Sequence, residues 1–216
     1  MFGFPILLDL AGRRCVVLGT LPVREGKAEA LLAGGADDVL VVAEAPARWL
    51  GELETVDGVT VERRGWRAAD LDGALLVIAH HPDPRERAAI AHEALVRGVL
   101  VNLVDDVAAC DWAMPSVVRR GDLLLAIGTG GASPTLSRTL RERFQAEFGP
   151  EWAEVLRVLR EVREESLVRL PAFTARAERW RAALDVDEAA RLARVGRADE
   201  LGARLRERLF GEVPAT

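Results

Sequence analysis

Short apolar runs alternate with amphipathic stretches as far as about Asp105, and that alternation predicts the order of the elements. Arg14-Cys-Val-Val-Leu-Gly19 is a compact apolar run closed by glycine, the signature of a buried strand that ends in a turn. Helical spacing follows from about Val23 to Leu32 and stops at Gly34-Gly35. Val39 to Ala43 predicts a second strand, Ala47 to Leu53 a short helix, and Val59 to Glu62 a third strand. A strand over Ala74 to Ala79, a helix over Pro84 to Arg97 and a strand over Val99 to Val104 complete the series. Strands that alternate with helices form a parallel sheet with right-handed crossovers. The unbroken apolar character of Leu75 to Ala79 and of Val99 to Val101 fits strands covered on both faces.

After Asp105 the pattern changes. Trp112 to Arg119 and Asp122 to Ile127, joined at Arg120-Gly121, predict an antiparallel hairpin. From Ser133 the chain reads as helical: one helix to about Phe148, a break at Gly149-Pro150, a long helix from Glu151 to Leu170, a stop at Pro171 and shorter helices to Phe210. Val155, Leu156, Val158, Leu159 and Val162 recur at helical spacing and are expected to pack against neighbouring helices. These shifts mark three regions, residues 1–112, 113–148 and 149–216.

Composition narrows the classes. Half of the residues are hydrophobic (50%), which excludes a disordered chain, and no run of about 18 apolar residues is available to span a bilayer. Met1-Phe-Gly-Phe-Pro lacks the basic start and cleavage site of a secretory signal, so a soluble, cytoplasmic protein with no membrane partner is expected. The net charge of −5 gives no electrostatic reason to expect nucleic acid. Cys15 and Cys110 form neither a disulfide framework nor a metal motif and read as small core residues. His80-His81-Pro82-Asp83 has suitable ligand types, but neighbouring side chains on an extended segment point opposite ways, and no metal site is assigned.

Three places carry candidate chemistry. In doubly wound sheets, ligands bind beyond the carboxyl ends of the strands, with the pyrophosphate of a dinucleotide at the first strand-to-helix turn. That turn begins at Gly19, and Glu44 closes the second strand near the separation, roughly 20 residues, at which an acidic side chain takes ribose hydroxyls. Glu44 is equally readable as a loop cap. Second, Leu123 to Ile127 leads into Gly128-Thr-Gly-Gly-Ala-Ser133, with Ser133 as N-cap and Pro134 as first helical residue, so free amides at the helix start point into the glycine turn and suit an anion. Third, Asp105 follows Asn102-Leu-Val on the same sheet edge as Gly19, either as a turn cap or as an acid at a ligand site.

Met114-Pro-Ser, the Thr129-Gly-Gly-Ala-Ser-Pro134 turn, Phe4-Pro-Ile-Leu-Leu-Asp-Leu10, Glu25 with Lys27, and Asn102-Leu-Val-Asp105 occur in one order over roughly residues 1 to 148. In these motifs the chain resembles the siroheme-synthase family, precorrin-2 dehydrogenases with sirohydrochlorin ferrochelatase activity. The resemblance implies an α/β fold: a Rossmann-like parallel sheet, then a small β-hairpin dimerisation unit and a helical C-terminal domain. It implies NAD along Gly19, Pro22, Val23, Glu44 and Ala45, and NAD rather than NADP because no arginine adjoins Glu44 to take a 2′-phosphate. The family pattern has further glycine near Gly19, where this chain has Thr20 and Leu21 followed by Pro22.

By the same resemblance Asp105 serves both activities, accepting protons during oxidation of precorrin-2 and during insertion of Fe²⁺ or Co²⁺ into sirohydrochlorin. Thr129, Gly130, Gly131 and Ser133 would contact the carboxylate-rich tetrapyrrole, with Thr129 at a position that is a phosphorylated serine in a family member. The hairpin and the helix after it imply a homodimer. Two alternatives stay open beside the dehydrogenase: a chelatase that has lost NAD, and a non-catalytic tetrapyrrole-binding or regulatory protein.

Overall fold

The computed structural model describes residues 4–19, 26–44 and 48–211. The chain divides into two compact units, Met1–Met114 and Pro115–Thr216.

The first unit is a five-stranded parallel sheet of β1 (Arg14–Gly19), β2 (Asp38–Val42), β3 (Val59–Glu62), β4 (Ala74–His80) and β5 (Leu100–Leu103), in the order β3-β2-β1-β4-β5. Helices α1 (Lys27–Ala33), α2 (Arg48–Leu53) and α3 (Pro84–Arg97) lie between the strands in sequence. This is the α/β, Rossmann-like arrangement that the alternation of elements predicts.

Strand residues sort by parity. Cys15, Val17, Val39, Val41, Leu76 and Ile78 pack with Ala28 and Leu31 of α1 and with Leu50 and Leu53 of α2. Val16, Leu18, Leu40, Val42, Val77 and Ala79 pack with Ile90 and Ala94 of α3. Successive strand side chains point to opposite faces, so a continuous apolar run is what a sheet covered on both sides requires. Each fully buried Val, Leu or Ile contributes about 1.5–3 kcal/mol by leaving water. Strand β5 lies at the edge of the sheet, and the segment after it covers that edge. Asp111 Oδ2 accepts the Val101 amide at 2.9 Å, and the Asp111 amide donates to the Val101 carbonyl at 2.8 Å. Asn102 Nδ2 donates to the Trp112 carbonyl at 2.8 Å, which continues the cover where a bare edge would invite another strand.

In the second unit β6 (Ser116–Arg120) and β7 (Leu123–Ile127) form an antiparallel hairpin, followed by α4 (Pro134–Glu147), α5 (Glu151–Arg169), α6 (Phe173–Ala183), α7 (Val186–Arg194) and α8 (Ala198–Phe210). Arg120 pairs with Leu123, which leaves Gly121-Asp122 as a two-residue turn, and Gly121 has the positive φ of 57° that such turns favour. The core of this unit is helical. Val155, Val158 and Val162 of α5 are buried against Leu192 of α7 and Leu201, Leu205 and Leu209 of α8, as their spacing predicts. Helix α4 buries none of its residues, and the hairpin buries only Val118. No helix among the described residues is long and apolar enough to cross a membrane.

Candidate functional site

Parallel strands carry all their carboxyl ends to one edge, and β1 is where the strand order reverses: β2 lies on one side of it and β4 on the other. Register places Gly19 beside His80 at that point. A cleft opens there, with about 300 Å³ of space continuous with solvent, and Gly19, Glu44, Arg64, Gly65, Trp66 and His80 are among the residues that line it. The chain thus brings two of the residues singled out from sequence, Gly19 and Glu44, into one cavity. Pro22, Val23 and Ala45 lie outside the described residues, as do Thr20 and Leu21.

The far wall of the cleft comes from the segment after β3, which has no motif in sequence. A Cβ on Gly65 would stand 2.8 Å from Glu44 Oε1, so the absence of a side chain there makes room for the carboxylate. Arg64 is held by Asp70: its two terminal nitrogens donate to Asp70 Oδ2 at 2.9 Å and Oδ1 at 2.7 Å, and one of them also donates to the Gly65 carbonyl at 3.0 Å. The remaining nitrogen, Nε, faces Glu62 Oε2 at 3.5 Å. Asp70 is buried and also accepts the Arg67 amide at 2.7 Å. Burial alone would raise its pKa, but the Arg64 bonds and the Arg67 amide outweigh that and hold the carboxyl below the usual carboxylate range. Trp66 is anchored by a bond from Nε1 to Glu86 Oε2 of α3, at 2.9 Å.

These residues fit an adenosine ribose. An exposed carboxylate at the end of β2 accepts hydroxyls, a glycine opposite leaves space, and an indole borders the space. His80 also reaches the cleft with a buried Nδ1 that has no hydrogen-bond partner among the described residues. His81 Nδ1 accepts the Asp83 amide at 3.2 Å, an ordinary turn contact.

Asp105 lies in the turn after β5, on the same sheet edge but not among the residues lining this cleft. Two strand spacings, roughly 10 Å, separate β5 from β1. Asp105 is the one non-glycine residue of positive φ among those described, at 65°, and its side chain is exposed with no bonded partner among them. Its turn is braced on both sides. The Asp106 amide donates to the Leu103 carbonyl at 3.2 Å, while Cys110 Sγ lies 3.1 Å from the Leu103 amide and 3.2 Å from the Asp106 carbonyl. Arg87 of α3 donates to the His81 carbonyl at 2.9 Å and approaches Asp106 Oδ2 at 3.6 Å, tying the turn after β4 to the turn after β5. A residue that adopts the left-handed region costs stability unless Gly, Asn or Asp occupies it, so Asp105 is tolerated there and its free carboxylate is presented to solvent.

In the second unit the loop after β7 has the backbone its glycines allow, with φ of 60° at Gly130 and 83° at Gly131. Ser133 caps α4 by accepting the Leu136 amide at 3.1 Å, and Pro134 is the first helical residue. Thr129 Oγ1 lies 3.4 Å from both the amide and the carbonyl of Ser133, so its hydroxyl braces the loop on itself. Arg64, Gly65, Trp66 and Asp70 are what sequence reading missed at the first cleft. The only local signal was a glycine between two large side chains, three residues past the end of a strand.

Residues 6–116 match a family described as putative NAD(P)-binding. The siroheme synthase of Chromobacterium violaceum is 33% identical over 187 residues, covering 84% of this chain and 38% of that protein. The siroheme synthase of Methylococcus capsulatus is 33% identical over 196 residues, covering 91% of this chain and 41% of that protein. The chain therefore spans about two fifths of the length of these relatives. Among solved structures, SirC, a precorrin-2 dehydrogenase, has the same fold at a TM-score of 0.71 and 24% identity, covering 95% of this chain and 100% of that one.

Proposed function

Since the chain belongs to the siroheme synthase family and carries its putative NAD(P)-binding region, we propose that it oxidises precorrin-2 to sirohydrochlorin with NAD. The observation that carries this reading is the cleft at the reversal of strand order, where Gly19 leaves the backbone open and Glu44 offers a carboxylate against Gly65. NAD bound there supplies the acceptor for a hydride. The residues of the chain bind and orient: Glu44 accepts the ribose hydroxyls, and Pro22, Val23 and Ala45 are assigned as further contacts to the nucleotide. Loss of a hydride from the macrocycle must be matched by loss of a proton, and Asp105, exposed on the same edge, takes that proton and passes it to water.

Sirohydrochlorin ferrochelatase is proposed as a second activity. Entry of Fe²⁺ or Co²⁺ as substrate displaces pyrrole protons, and a solvent-facing carboxylate is the group to accept them. Tetrapyrrole carboxylates find donors in the amides of Thr129, Gly130, Gly131 and Ser133, with Thr129 a contact through its backbone while its hydroxyl holds the loop. A homodimer through residues 113–148 accounts for a hairpin and a helix α4 that bury almost nothing of their own, with 149–216 as the helical region.

The test is a set of three measurements on the full chain. Calorimetry should detect NAD; the protein given precorrin-2 should form sirohydrochlorin only with NAD; and Asp105→Asn, a residue type the left-handed backbone tolerates, should lower turnover by about a hundredfold while its melting curve stays that of the parent. No NAD binding at millimolar concentration, together with metal insertion, would leave a chelatase that has lost NAD. A fully active Asp105→Asn would remove the assigned proton acceptor.

A further inference from the structure

Glu44 explains why a 2′-phosphate is unwelcome, but an arginine lines the same cleft, and a guanidinium is the group that most often accepts that phosphate. Arg64 ought to make the cleft tolerant of NADP. Four of its five N–H groups are engaged, three in hydrogen bonds and Nε toward a carboxylate. Asp70 takes both terminal nitrogens in a two-point pair, the Gly65 carbonyl takes a further bond, and Nε faces Glu62. Asp70 is itself fixed, because it is buried in the turn Ala68–Leu71 and accepts the Arg67 amide. A buried carboxylate bonded at both oxygens does not release its partner to an incoming anion without being left charged and unpaired, which costs far more than one new phosphate contact returns.

Resting on the dinucleotide reading above, we propose that Asp70 is a specificity-determining residue that never touches the nucleotide: by sequestering Arg64 it keeps the cleft selective for NAD over NADP. Glu44 and Asp70 then act in series. The first repels the 2′-phosphate, and the second withholds the cation that would otherwise compensate. Gly65 links them, since its carbonyl holds Arg64 and its missing side chain gives Glu44 its place.

Calorimetric titration of the full chain with NAD and with NADP separates the two parts. The parent should bind NAD at least about tenfold more tightly than NADP. Glu44→Ser, a change at an exposed residue, should weaken NAD while changing NADP affinity by less than about threefold, because Arg64 stays sequestered. Adding Asp70→Asn keeps the side-chain volume and an acceptor for the Arg67 amide but removes the anion. Glu44→Ser/Asp70→Asn should bind NADP about tenfold more tightly than Glu44→Ser, and the gain should vanish when Arg64→Gln is added or salt is raised. A tenfold gain in NADP affinity from Glu44→Ser alone would overturn the inference, as would a folded double variant with no gain. Should Asp70→Asn fail to fold, the Glu44→Ser titration decides by itself. If the parent binds neither nucleotide, the dinucleotide reading falls and this inference with it, whereas NAD selectivity that Asp70 does not influence removes the inference alone.

Discussion

The sheet unit has strands of four to seven residues and the hairpin strands of five, and the two put them to different ends. In the sheet, every residue of β1 from Cys15 to Leu18 is buried, and helices cover both faces. In the hairpin only Val118 is buried, and the helix that follows, α4, has no buried residue over its fourteen. A helix that length is marginal without an apolar face to bury, and two strands alone are not independently stable. The contrast teaches where burial ends: the first unit and α5–α8 each enclose a buried core, whereas residues between Ser116 and Glu147 bury almost nothing of their own.

Cavity substitutions break this contrast most directly. Leu18→Ala in β1 and Leu205→Ala in α8 should each cost about 2–5 kcal/mol in denaturant unfolding, whereas Leu136→Ala in α4, a residue that is 50% exposed, should cost less than about 1 kcal/mol in a monomeric sample. A large loss from Leu136→Ala at dilutions where only monomer is present would show that α4 has a core of its own.

Gly121→Ala probes the hairpin separately from the helices. A Cβ there meets Ala153 Cβ at 3.1 Å and forces a side chain into positive φ, so a loss of about 1 kcal/mol is expected by thermal unfolding, with no change in NAD affinity.

Acid should separate the units by order of loss. Bonding to Arg208 holds Glu188 below the ordinary carboxylate range, with burial opposing and Arg204 adding to it, and bonding to Arg194 does the same for Glu151. Glu165 and Glu200 are lowered by Arg206 and Arg204, so four carboxylates of the second unit are held low against Asp70 in the first. A folded pKa below the unfolded value means a contribution present above the unfolded pKa of about 4 and lost as pH falls through the folded one. Hydrogen exchange recorded between neutral pH and about pH 3 should therefore show α5, α7 and α8 losing protection before the sheet. Simultaneous loss, or loss from the sheet first, would refute that ordering.

The smallest effect concerns the thiols. Burial, with added repulsion from Asp38 and Asp37, pushes Cys15 up to about 11, and burial raises Cys110 despite the Leu103 amide. Both should react slowly with a thiol reagent at neutral pH, where thiolate is scarce, and rapidly after denaturation. Fast labelling of Cys110 in the native protein would mean that the brace under the Asp105 turn opens.

What could be read directly from the chain is what neighbouring residues decide among themselves. The apolar run Cys15 to Leu18, the spacing of Val155, Val158 and Val162, the Gly121 turn and the Ser133 cap are governed by periods of two and 3.6 and by local hydrogen bonds, all visible within a few positions. Glu44 was legible because the distance from Gly19 to the end of the next strand is nearly constant in doubly wound sheets. Only the tertiary structure decided that Gly65 and Trp66 face Glu44, that Arg64 is sequestered by a buried Asp70, that His80 stands beside Gly19, and that Asp105 sits in left-handed backbone braced by Cys110 and Arg87. Those relations depend on strand order and on side chains meeting across crossovers, and no local period records which distant segments a sheet will place side by side.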